Sequence, residues 1–107
     1  RRTLYQTIRQ RLQAVGIDRQ TAQKPIKEYS GGMKRRVAIV RRVVANSDIL
    51  VLDEPFTGID RDTKKQCADY INKNLNGRTL LLITHSPDEA QLLNRNSVNF
   101  ESLIVQL

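Results

Sequence analysis

Two apolar runs of strand length set the limits on this fold. Ile49-Leu50-Val51-Leu52 and Leu80-Leu81-Leu82-Ile83 are bounded by polar residues and contain none. A short continuous run of this kind predicts a strand buried on both faces, as in a parallel sheet. Between them, Asp60 or Asp62 can cap a helix near Thr63–Leu75, and Asn76-Gly77 turns the chain back into a strand over Thr79–Ile83. Strand, helix, strand at this spacing predicts a right-handed crossover with the two strands as parallel neighbours. The fold class is therefore α/β.

The residues before the first strand read as helical. Leu4, Ile8, Leu12 and Val15 recur at helical spacing, and Gly16 supplies a stop. Arg19 to Glu28 is polar, contains Pro25 and reads as a loop. Ser30 can cap a second helix with a core stripe of Met33, Val37, Val40 and Val44. Lys34, Arg35, Arg41 and Arg42 fall mostly off that stripe, and Asn46-Ser47-Asp48 ends the helix. After the second strand, Ser86-Pro87-Asp88-Glu89 predicts a capping box with Pro at the first helical position. A short helix to about Asn94 follows, and the tail Val98–Leu107 has the composition for one or two more strands. The chain divides into a helical part, residues 1–46, and a sheet-bearing part, residues 47–107.

Composition narrows the function classes. With 39% hydrophobic and 27% charged residues, the chain fits a globular protein rather than a disordered one. No apolar run approaches the roughly 20 residues of a membrane helix. No signal peptide is visible, and the absence of an initiator Met suggests an excised or truncated segment. The single cysteine, Cys67, excludes an internal disulfide. The net charge of +7 is uneven: residues 1–42 carry 12 Lys/Arg against 2 Asp/Glu. Such a half can attract nucleic acid, anionic lipid or nucleotide phosphates, or form a solvated helix surface. No aromatic residue interleaves the cations of Lys34–Arg42, so a base-stacking platform is absent there and nucleic acid is not the favoured partner.

Four short stretches carry chemistry. Ser30-Gly31-Gly32 opens a helix, where unpaired N–H groups and two glycines offer an anion a close approach; a plain serine cap explains the same residues. Asp53 and Glu54 follow a strand, at the end where ligands bind in open α/β sheets; an acidic turn cut by Pro55 is the plainer reading. Thr57-Gly58-Ile59-Asp60 leads into the next helix. His85, the only histidine, follows the second strand at the same sheet edge as Asp53 and Glu54. No second His or Cys joins it for a transition-metal site.

The order and spacing of Tyr29-Ser30-Gly31-Gly32-Met33, of Ile49–Leu52 with Asp53-Glu54-Pro55, of Thr57–Asp60 and of Thr84-His85 resemble the C-terminal half of an ABC-type ATPase. The family is that of the nucleotide-binding domains of ABC transporters. The resemblance implies a partial P-loop NTPase fold, with residues 1–46 in the helical signature subdomain and 47–107 in the second half of a RecA-like core. It implies ATP and Mg²⁺ as cofactors. Ser30, Gly31, Gly32 and Met33 would form the signature that completes ATP bound to a second ATPase subunit in a head-to-tail dimer. Asp53 would hold Mg²⁺, Glu54 would orient or deprotonate the attacking water, and His85 would act as the switch histidine. Asp60 would belong to the loop that crosses the dimer interface.

The implied partners are that second subunit, transmembrane permease subunits and a P-loop-bearing N-terminal half. The implied location is cytoplasmic, on the inner face of the plasma membrane. Two other readings stand beside it: a non-transport ABC ATPase acting on nucleic acid, and an inert truncated or split half. Three departures from the family's wording matter. Arg42 stands where Ala is usual, so it must snorkel or disturb helix packing. The tail lacks a hairpin glycine. The P-loop pattern G-x-x-x-x-G-K-[ST] is nowhere in the 107 residues. In the family the P-loop strand borders the strand before His85, so a chain of this content is expected to leave sheet edges open and to be prone to association.

Overall fold

The computed structural model describes residues 3–93. Helix α1 runs Leu4–Ala14, α2 Arg19–Ala22 and α3 Gly31–Val44; strand β1 runs Ile49–Asp53, α4 Arg61–Lys73, strand β2 Thr79–Ile83 and α5 Pro87–Leu92. The two strands pair in parallel, with Ile49 opposite Thr79 and Asp53 opposite Ile83. The α4 crossover, the Asp60 cap and the Asn76-Gly77 turn all follow the sequence reading. Asn76 and Gly77 lie at φ 52° and 80°, the left-handed pair a tight turn requires.

One hydrophobic cluster joins the parts. Ile39, Val40 and Val43 of α3, Leu50 and Leu52 of β1, and Cys67, Ala68, Tyr70 and Ile71 of α4 are buried together with Val15, Ile17, Phe56 and Leu93. Arg11 Nη1 donates to Tyr70 Oη at 3.0 Å and to Asn74 Oδ1 at 3.3 Å, tying α1 to α4.

Several expectations are corrected. The strands are not buried on both faces: Leu50 and Leu52 are buried, whereas Ile49 and Val51 are 55% and 42% exposed. Leu81 and Ile83 on β2 are likewise 50% and 47% exposed. The helices cover one face of the sheet, and no described residue covers the other. In α3 the buried stripe is Ile39, Val40 and Val43, while Val44 is exposed. The helix offers two overlapping apolar stripes, and the core takes the one in line with Gly32 and Arg36. On α1 only the C-terminal end meets the core, and Leu4 and Ile8 stay exposed. The loop Arg19–Glu28 contains the α2 turn and a 3-10 turn over Ile26–Glu28. Asp18 caps α2 through the Thr21 N–H, which holds its carboxyl below the usual carboxylate range.

The capping box at Ser86 does not form, although Pro87 does occupy the first turn. Glu89 is buried and bonds elsewhere, with Lys64 Nζ at 2.9 Å and the Thr84 hydroxyl donating to it. Arg42 lies on the exposed side of α3 and disturbs nothing. The end of the last helix at Asn94 and the tail strands fall outside the described residues.

Cys67 is fully buried, and burial pushes its thiol up to about 11 from a usual 9.0, against a smaller opposing pull from Arg36. The folded value lies above the unfolded one, so the neutral thiol's contribution to stability is complete below about 9.0 and is lost as pH rises through about 11. At neutral pH, Cys67 should resist a thiol-reactive reagent until denaturant opens the core. Rapid stoichiometric labelling of the native chain would contradict this packing.

Candidate functional site

The turn before α3 is fixed from behind by Tyr29, whose hydroxyl donates to the Ala22 carbonyl at 2.8 Å. Ser30 then takes extended dihedrals and caps α3, with its Oγ accepting from the Met33 N–H at 3.1 Å. A serine hydroxyl that accepts still has its own proton to donate. Ser30 and Gly31 are exposed, and a Cβ on Gly31 would meet nothing within 4 Å. A Cβ on Gly32 would come within 3.3 Å of the Gly58 carbonyl oxygen. The glycine therefore lets the start of α3 approach the loop Thr57–Asp60. Met33 is half-buried.

These two loops wall one open cleft of about 640 Å³, with Ser30, Gly31 and Gly32 facing Thr57, Gly58 and Asp60. Arg35 and Arg36 line it too, and sequence reasoning gave neither a role. Arg36 Nε donates to Gly32 O at 3.2 Å and its Nη1 to Val15 O at 3.0 Å, bracing the turn against the end of α1. The only signal for this was its place four residues after Gly32 on the stripe that turned out to be buried. The cleft combines helix N–H groups and a hydroxyl, which suits an oxyanion such as a phosphate, while Arg35 and Arg36 border it with guanidiniums that donate to backbone carbonyls. Asp60 adds a cap to α4, accepting from the Thr63 N–H at 3.3 Å.

Asp53 and Glu54 stand at the carboxyl end of β1, and β2 brings His85 to the same edge. Asp53 is exposed. Glu54 breaks from the strand at φ 48°, while its N–H still donates to Ile83 O at 2.8 Å. Its Oε1 lies 3.4 Å from His85 Nε2, an ion pair when the histidine is protonated. No hydrogen bond forms across this contact, and Glu54 Oε1 is buried without a hydrogen-bond partner. The His85 side chain is 99% exposed and that of Glu54 31%. A buried carboxylate oxygen with an unused acceptor position beside an exposed imidazole lacks the polar partner such an atom ordinarily has.

The structure thus brings Glu54 and His85 into contact, with Asp53 next to them, and groups Ser30, Gly31, Gly32 and Asp60 around a separate cleft. Arg35 lines that cleft, and its Nη1 donates to the Glu54 carbonyl at 3.0 Å. No cluster of three or more His, Cys, Asp or Glu among the described residues could hold a metal. A divalent ion at Asp53 would draw most of its ligands from water and phosphate, as Mg²⁺ does. No described helix is long and apolar enough to cross a membrane.

The family model described as ABC transporter matches residues 2–57. The chain is 42% identical over 88 residues to the bicarbonate transport ATP-binding protein CmpD of Synechococcus elongatus, a match covering 80% of this chain and 31% of that protein. It is 35% identical over 91 residues to ABC transporter A family member 10 of Arabidopsis thaliana, covering 84% of this chain and 10% of that protein. With the glucosylceramide transporter ABCA12 of Homo sapiens it shares 34% identity over 94 residues, covering 88% of this chain and 4% of that protein. The chain therefore spans less than a third of the length of these relatives.

Proposed function

Because the chain belongs to the ABC transporter family, we propose that it supplies the signature and catalytic-carboxylate part of an ATP-hydrolysing subunit. Residues 1–46 serve as part of the helical subdomain and 47–107 as the second half of the RecA-like core. The observation that carries this reading is the placement of Glu54 Oε1, buried, without a hydrogen-bond partner and 3.4 Å from His85 Nε2 at the end of a parallel strand. That orphaned acceptor fits a site for a water near a phosphate.

Bound MgATP would supply the phosphoanhydride and the developing charge on its terminal phosphate. The chain's own residues would do the rest. Glu54 orients water and takes its proton at Oε1, and His85 offers Nε2 beside it. Asp53 holds the metal, mostly through water. Ser30, Gly31 and Gly32 present their cleft to a nucleotide bound by a second subunit, Met33 follows them in the first turn of α3 with its N–H on the Ser30 hydroxyl, and Asp60 shapes the facing loop. The second subunit, membrane permease subunits and a cytoplasmic location on the inner membrane face complete the reading. CmpD is named as an ATP-binding protein of bicarbonate transport, which supports a transport role but fixes no substrate for this chain.

The P-loop that would hold the β- and γ-phosphates is not among the 107 residues. Purified residues 1–107 should therefore give no ATP turnover above buffer, whereas the same chain combined with a P-loop-bearing segment should give turnover that saturates with MgATP. Turnover by residues 1–107 alone, or none in the combination, would overturn the proposal.

A further inference from the structure

The carbonyl oxygen of Glu54 receives two donors from outside its strand. Arg35 Nη1 reaches it at 3.0 Å and Thr57 Oγ1 at 3.3 Å. Arg35 comes from the start of α3 and Thr57 from the loop before α4, and both side chains also line the phosphate-suited cleft. Each wall of the cleft thus ends on one atom of the residue whose carboxylate faces His85.

Glu54 needs such support. At φ 48° it occupies the left-handed region, which a long side chain without a local backbone hydrogen bond rarely adopts. Its N–H is held by β2 through Ile83 O, so the donors on the carbonyl fix the other side of the turn. Of the two, the guanidinium gives the stronger, charge-assisted bond. Arg36 cannot replace it, being engaged with Gly32 O and Val15 O.

We infer that Arg35 is a positioning residue for ATP hydrolysis. It locks the Glu54 backbone in its left-handed conformer and so keeps the carboxylate beside His85. This rests on the reading of Glu54 as the group that orients water. Arg35 touches the backbone of Glu54 and acts only through it.

The test uses the ATP-hydrolysing assembly of this chain with a P-loop-bearing segment. Arg35→Ala should lower kcat about tenfold while KM for ATP stays within about twofold, the signature of an interaction that matters after binding. Arg35→Lys, or guanidinium ion added to Arg35→Ala, should restore part of kcat. Arg42→Ala removes the same charge from an exposed position of the same helix and should leave kcat unchanged. In the Glu54→Gln background, Arg35→Ala should have no further effect, because its route to the chemistry is already cut. If Arg35→Ala fails to fold, Arg35→Met, which keeps the apolar stem and removes every donor, is read by the same criteria.

Unchanged turnover in Glu54→Gln would remove the reading of Glu54 and this inference with it. Loss of turnover in Glu54→Gln, with Arg35→Ala unchanged in kcat or altered only in KM, would overturn this inference alone. So would an equal slowing by Arg35→Ala in both backgrounds.

Discussion

Glu54→Gln should lower ATP turnover in the complete assembly by about 10²- to 10⁴-fold, the range over which a positioned general base contributes. Glutamine keeps the length and shape of the side chain but cannot take up a proton. The substitution also leaves the Glu54 backbone contacts with Ile83, Arg35 and Thr57 available, since these use the N–H and carbonyl. Nucleotide binding should therefore persist while hydrolysis stops, and bound ATP should accumulate. Steady-state turnover beside an equilibrium ATP-binding measurement separates the two. A kcat within about threefold of wild type would exclude Glu54 as the base, because the lower bound of that range is about a hundredfold.

Phe56→Ala should cost about 3–5 kcal/mol, the usual loss when a buried aromatic side chain is cut back. Phe56 is 1% exposed and is among the largest fully buried side chains. It sits two residues after Glu54, between the strand end and the Thr57–Asp60 loop, and its carbonyl accepts from the Ile59 N–H at 3.1 Å. Against a typical total of about 5–15 kcal/mol, the loss is a large share of stability. Urea unfolding of the assembly gives the measurement. A change below about 1 kcal/mol would mean that the core closes around the vacancy more completely than large-to-small substitutions usually allow.

The residues that cap helices and turn the chain were readable because each acts locally. Ser30 and Asp60 cap helices through N–H groups three residues away, and Asn76-Gly77 turns the chain through its own dihedrals. The parallel pairing of β1 with β2 follows from the length of the α4 connection. The burial of the strands was not readable in the same way. Ile49, Val51, Leu81 and Ile83 are as apolar as a two-sided core strand requires, but what covers a face is a property of the neighbours. In α3, Val37, Ile39, Val40, Val43 and Val44 suit more than one stripe, and only the positions of β1 and α4 choose among them. Arg35 and Arg36 left no signal as anchors because their acceptors are backbone carbonyls, which every residue possesses. Glu89 reads equally well as the partner of a capping box or of Lys64, and the fold selects Lys64.

Among the described residues the β1–β2 pair is covered on one side only, and this has a consequence for how the chain is made. Among the described residues, the cluster on the helical side is drawn from Val15 to Leu93, so that side can close on its own members. The face bearing Ile49, Val51, Leu81 and Ile83 stays open until something covers it. During that wait, its four side chains and the strand edges beside them meet whatever else in the cell has an unfinished surface. The yield of correctly built protein is then decided by a race between arrival of the proper cover and collision with the wrong one. Slower synthesis, lower concentration or simultaneous production of the covering segment shifts that race without changing a single contact in the folded chain.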